Sequence, residues 1–139
     1  MFNRFIKYMI LWGIGGLLFQ IIEILSRGWT HWSMFILGGI CFVAMGGINE
    51  FFSWKMPLPL QMLLSAFIIT VLEFLTGCIV NIWLGWNVWD YSKERFNFLG
   101  QICIGASVIW FILSGVGIIL DDYLRYWMFK EDKPKYKLI

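Results

Sequence analysis

Glu23, Arg27 and Glu73 are ionisable residues set inside long apolar runs. A carboxylate at the middle of a bilayer costs at least ~2.5–3.5 kcal/mol on insertion scales, so each needs a partner or a task. Glu23 and Arg27 stand one helical turn apart and can neutralise each other. Glu73 has no basic residue one turn away; it is either protonated or meets Arg27 across a bundle. His31, Asn81, Asp90, Asn97 and Gln101 gather at the same end of the apolar runs. In Trp89-Asp90-Tyr91 an acid stands between two amphipathic rings. Rings at a membrane interface can cap a cavity while the carboxylate orients a polar or cationic ligand group. Alternatively Asp90 caps the next helix or accepts backbone amides in its loop. The polar set as a whole has a structural reading, a hydrogen-bonded network that locks the bundle. Its functional reading is an outward-facing polar cavity that binds a solute or headgroup, and a proton relay through the glutamates is a third.

Other chemistry leaves no trace. There is no Ser-His-Asp set, P-loop or Gly-rich phosphate fingerprint. His31 is the only histidine and has no cysteine near it, a poor zinc site. Cys41, Cys78 and Cys103 fall inside apolar runs without CxxC spacing and read as reduced, buried, small apolar residues. No catalytic residue, metal or cofactor is assigned.

The elements that position these groups follow from composition. Of 139 residues 60% are hydrophobic and 14% charged, against roughly 45–50% and 25% in a soluble domain. So few charges cannot coat a soluble surface, and a net charge of +2 is too small for a nucleic-acid footprint. That excludes a soluble enzyme, a nucleic-acid module and a disordered chain; the partner of this surface is the lipid bilayer. Crossing a bilayer takes about 20 helical residues. Four stretches suffice, Phe5–Leu25, Ser33–Phe52, Gln61–Leu84 and Phe98–Leu120. They do not alternate as membrane strands would. The first is read as a retained helix, because no small-x-small cleavage site follows it.

Each span carries a stripe of small and polar residues at helical spacing. These are Gly13, Gly16, Gln20, Glu23, Arg27; Gly39, Val43, Gly46, Glu50; Ala66, Thr70, Glu73, Gly77, Asn81; and Asn97, Gln101, Gly105. Small residues let membrane helices approach and polar ones bond across the contact, so the stripes should face one another. Two halves also echo each other: Glu23-Ile-Leu-Ser matches Glu73-Phe-Leu-Thr, and the run ending at Cys41 matches the run ending at Cys103. The expected fold is therefore an all-α, integral membrane four-helix bundle of two parallel two-helix repeats. It forms a single domain over residues 1–139, with a basic cytoplasmic tail over 121–139. The Gly-rich faces invite a second copy or a partner membrane subunit.

Specific runs then become informative. Arg27-Gly-Trp-Thr-His-Trp-Ser33, Gly46-Gly-Ile-Asn-Glu50, Glu73-Phe-Leu-Thr-Gly77, Val88-Trp-Asp-Tyr-Ser92 and Asn97-Phe-Leu-Gly-Gln-Ile-Cys103 resemble the CmpB-like ABC-transporter type IV family. The Glu-Phe-x-Thr-Gly and Trp-Asp-Tyr-Ser runs are also similar to those of the vertebrate transmembrane protein 229 proteins. The resemblance covers about residues 8–125. It implies a permease role, and because no ATPase signature is present, an ATP-driven system would need a separate ATPase subunit. The leading expectation is a small transporter or solute-binding membrane subunit. The alternatives are a non-transporting structural or regulatory membrane partner and, further off, a membrane enzyme acting on lipid.

Four spans put both termini on one side. The N-terminus, the second loop and the tail hold eight Lys or Arg against three, Arg27, Lys93 and Arg95, on the opposite side. The positive-inside rule then places both termini in the cytoplasm of a cell whose plasma membrane holds the chain. Trp29, Trp32, Trp83, Trp86, Trp89 and Tyr91 would form the outer aromatic belt. A cysteine introduced at Ser92, in a background without the native cysteines, should react with a membrane-impermeant maleimide added to intact cells. Reaction only after permeabilisation would invert the topology.

Overall fold

The computed structural model describes residues 3–48, 56–131, 133, 134 and 136. Among these residues it is all-α apart from one short hairpin, with four long helices, α1 (Arg4–Arg27), α2 (Trp32–Gly46), α3 (Leu58–Gly77) and α4 (Ile104–Phe129). A π-helical segment, Cys78–Trp83, continues α3. Three of these elements, Arg4–Arg27, Leu58–Trp83 and Ile104–Phe129, are long and apolar enough to cross a membrane. α2 ends at Gly46, with Gly47 as its C-cap, so it has 15 residues instead of a span reaching Phe52, about 22 Å of helix against a hydrocarbon core of about 30 Å. The expected end of the second span at residues 49–52, including Asn49 and Glu50 of its stripe, lies outside the described residues, as does Lys55.

Local chemistry sets the helix ends. Asn3 caps α1 by accepting the Ile6 N–H at 2.8 Å. At its other end Gly28 takes φ +82, a left-handed conformation that costs glycine little. His31 caps α2, its Nδ1 accepting the Ser33 N–H at 3.2 Å. Pro57 and Pro59 open α3, where missing amide donors cost nothing.

The helices pair by small residues. A Cβ on Gly16 would lie 2.5 Å from the Phe35 carbonyl oxygen, and one on Gly39 the same distance from the Trp12 carbonyl oxygen. Gly15 and Gly38 receive the rings of Phe42 and Phe19. Thus α1 lies directly on α2, and α3 on α4, while α2 packs on both α3 and α4 as the central helix. Thr70 and Ser107 bond across the α3–α4 seam at 2.8 Å. The third stripe meets its expectation, with Ala66, Glu73 and Gly77 buried. Gly13 does not: a Cβ there would meet nothing within 4 Å.

The fourth span differs from the expectation at both ends. Its first residues form an antiparallel hairpin, β1 (Asn97–Phe98) and β2 (Ile102–Cys103), before α4 begins. The turn puts Leu99 at φ +54 and Gly100 at φ +73, and Asn97 Oδ1 accepts the Gly100 N–H at 3.0 Å. Asn97, Gln101 and Gly105 therefore share no helical face. At the far end the helix runs past Leu120 to Phe129, with Asp121, Asp122 and Arg125 buried instead of opening a solvated tail. Arg125 Nε donates to Asp121, whose carboxyl group lies against Gly46. Tyr136 donates to Asp122 at 2.8 Å, and Lys7 pairs with Glu131 at 2.8 Å.

Glu23 and Glu73 each stand four residues before the end of their α-helix. Cys41 and Cys103 are not equivalent, since Cys41 lies within α2 while Cys103 is the N-cap of α4.

Gly16→Val should cost about 1–3 kcal/mol, because a bulky group is forced against backbone in a packed seam. Gly13→Val, in open space, should cost far less. Thermal unfolding in detergent measures the difference, and equal losses would remove the α1–α2 seam as the cause.

Candidate functional site

Glu73 lies in the half of the bundle that carries the loop after the π-helical segment. It is buried, 4% exposed, on α3. Tyr91 Oη donates to its Oε2 at 3.1 Å and Trp110 Nε1–H to its Oε1 at 3.2 Å. Tyr91 comes from the loop after the π-helical segment and Trp110 from α4, so one carboxyl group ties three parts of the chain together. Burial, reinforced by the Glu73 carboxyl, pushes the Tyr91 phenol above its ordinary pKa, which keeps it a donor.

Glu23 is satisfied separately. Arg27 Nη2 lies 2.7 Å from its Oε2, and Thr30 Oγ1 donates to Oε1 at 3.1 Å. The Arg27 Nη1 donates to the Val88 carbonyl at 2.9 Å, and the guanidinium stacks on Trp29 at 4.4 Å. Arg27 thus meets Glu23 and the loop, and no basic side chain pairs with Glu73 among the described residues.

Asn81 and Gln101 fix the loop onto the helices. Asn81 Oδ1 accepts the Val88 N–H at 2.6 Å, and its Nδ2 donates to Gln101 Oε1 at 2.8 Å. Trp89 is buried and its Nε1–H donates to the Gln101 carbonyl at 2.9 Å. Gln101 Nε2 donates in turn to the Leu99 carbonyl at 3.0 Å. The remaining candidates shape loops. Asp90 is exposed and accepts the Ser92 N–H at 2.8 Å, which holds its carboxyl below the ordinary carboxylate range. Asn97 Nδ2 donates to the Glu94 carbonyl at 2.8 Å. His31 stacks against Trp32 and Trp86, each ring 5.4 Å away.

The space between the helices has another character. A cavity of about 250 Å³ runs between α1, α2 and α4, with α3 contributing Ile69 and Glu73. Its wall is apolar, including Phe19, Ile22, Phe42, Met45, Leu113 and Leu120. Of the candidate residues in the sequence, Glu73 alone lines it. The residues missed by sequence reasoning are Thr30, Val88 and above all Trp110. Trp110 did carry a signal: a tryptophan deep in an apolar span buries an N–H that must find an acceptor.

Asn81→Ala removes an acceptor from the Val88 N–H and a donor from Gln101 Oε1, which should cost about 1–3 kcal/mol for the groups left unsatisfied. The loop should then open, and tryptic cleavage at Lys93 and Arg95 should quicken. Equal rates for Asn81→Ala and the native protein would detach Asn81 from loop order.

A search of the curated proteins and a search of the solved structures each match nothing. A family model described as "Putative ABC-transporter type IV" matches residues 4–131. With the match running over nearly the whole chain, from α1 to just beyond the end of α4, this protein belongs to that ABC-transporter type IV family.

Proposed function

We propose that the chain is a membrane-embedded ligand-binding subunit of a transport system, and that its ligand enters from the bilayer. The observation that carries this reading is the apolar cavity of about 250 Å³ with the Glu73 carboxyl in its wall. A hydrated solute would find no polar lining along such a wall, whereas an apolar cavity stays dry and takes apolar guests. The sides of the cavity include Ile21, Ile22 and Val116, each exposed on the outer surface of the bundle. In a membrane that surface is lipid, so the cavity communicates with the acyl chains.

In this reading Glu73, Trp110 and Tyr91 form the polar end of the site. Glu23 with Arg27, and Asn81 with Gln101 and Trp89, hold that end in place, while His31, Asp90 and Asn97 shape the outer loops. Both termini face the cytoplasm of a plasma-membrane protein, supported by the excess of basic residues at that end. The family description supports a transport role. Energy would come from a separate ATPase, and a second copy or a partner membrane subunit would complete the assembly. One observation favours a second reading, a structural or regulatory partner: the outer polar groups bond to one another rather than to an open space.

Nitroxide labels at Leu113 and Val116, studied in vesicles, separate the two environments. The bilayer-fed cavity predicts strong broadening by oxygen and little by a water-soluble nickel chelate. Strong broadening by the chelate would mean a hydrated path and would overturn the reading.

A further inference from the structure

One end of the cavity brings together a carboxyl group and two aromatic rings. Glu73 lines the cavity, and so do the rings of Phe19 and Trp110, whose centroids are 5.7 Å apart. The two donors to Glu73, Tyr91 and Trp110, are neutral, and among the described residues no cation pairs with it. Arg27, the basic residue of the same half, is already paired with Glu23 and bonded to the Val88 carbonyl. Trp110 meets Glu73 through its in-plane Nε1–H, so it is the carboxyl group itself, set in an otherwise apolar wall, that attracts an ammonium group. Because no counter-charge among the described residues satisfies this buried acid, a cationic head supplies an interaction that a neutral head does not.

The rest of the cavity selects what is attached to that cation. Its lining on α4 extends from Trp110 to Leu120, a length of about 15 Å along a helix. From Leu113 onward this wall carries no polar side chain, and Met45 faces it from α2. The long axis thus follows the helices and acyl chains of the bilayer. The dimensions suit one extended alkyl chain, with its head at Glu73 and its tail toward Met45 and Leu120.

We propose that the cavity binds a single-chain alkylammonium amphiphile, its ammonium group held by Glu73 at the end of the cavity that Phe19 and Trp110 line. This rests on the bilayer-fed reading above and names the ligand class for the same site. The occupant is a free lipophilic amine dissolved in the membrane.

The test uses the full chain in phosphatidylcholine vesicles. Two dodecyl probes carry a diazirine near the chain end, one with an amine head and one with a hydroxyl head, and labelled peptides are mapped by mass spectrometry. The amine probe should label α2 near Met45 and α4 between Val116 and Leu120, and excess unlabelled dodecylamine should compete while dodecanol should not. Glu73→Gln should weaken amine labelling about tenfold, the loss of one charged contact. Val116→Trp, at an exposed position on the cavity's flank, should block both probes, and it serves as the independent variant if Glu73→Gln folds poorly. Equal labelling by both heads in the native protein, or undiminished amine labelling in a folded Glu73→Gln protein, overturns the ammonium assignment and leaves the bilayer-fed cavity standing. Labelling by both probes confined to the outer helix surfaces overturns the cavity reading itself.

Discussion

A carboxyl group below the membrane surface must find its hydrogen-bond partners within the protein, because lipid tails supply none. Glu73 imposes that constraint here. Its two oxygens are met by Tyr91 from the outer loop and Trp110 from α4. To deliver Tyr91, the loop must fold back over the helix ends, and that path needs its own anchors. Asn81 supplies one by accepting the Val88 N–H, and Arg27 another by donating to the Val88 carbonyl. Gln101 joins the hairpin to the same knot through Asn81 and Trp89. The outer end is thus organised around the satisfaction of one acid.

Helix association obeys a different rule. Lipid gives membrane helices no hydrophobic reason to meet, so close approach and shape decide which pairs form. Glycines on both sides of the α1–α2 seam admit Phe19, Phe35, Phe42 and Trp12. At the opposite end of the bundle Gly46 makes room for the Asp121 carboxyl group, bonded to Arg125 one turn further along α4. With α1 seated on α2, it meets α4 through single side-chain contacts, Phe19 on Trp110 and the Arg125 guanidinium over the Tyr8 ring at 5.4 Å. The cavity is the gap that this unequal pairing leaves. Because the residues that do not mate face lipid, its wall is apolar, and because Glu73 sits at the α3 edge of the gap, one end is acidic.

The functional reading follows from the division between these two regions. The polar side chains at the loop end of the bundle bond to the loop and to one another, while the cavity of about 250 Å³ lies beside them among apolar side chains. A carboxyl group shared by both regions links ligand occupancy to the order of the outer loop through Tyr91. A ligand that engages Glu73 therefore acts on the same atoms that fasten the loop.

The sequence by itself determined that the chain is a helical membrane protein, because helix length, apolar content and charge scarcity are local properties. It determined the Glu23–Arg27 pair, which spacing within one helix creates, and the buried face of α3. It also carried the family, through runs of residues that need no structure to be read. Only the tertiary structure decided which groups meet across elements. Asp121, Asp122 and Arg125 read as the start of a solvated tail, yet they are buried because α2 and Tyr136 come to meet them. Asn97 and Gln101 read as one helical face, yet a turn at Leu99 and Gly100 makes them part of a hairpin. Trp110 read as another apolar residue of its span, yet it is a partner of Glu73. The polar stripes suggested a polar cavity, and the cavity of about 250 Å³ between the helices is instead walled by apolar side chains with Glu73 among them. Periodicity fixes which face of a helix is polar; which partner occupies that face is a non-local choice, made when the helices pack.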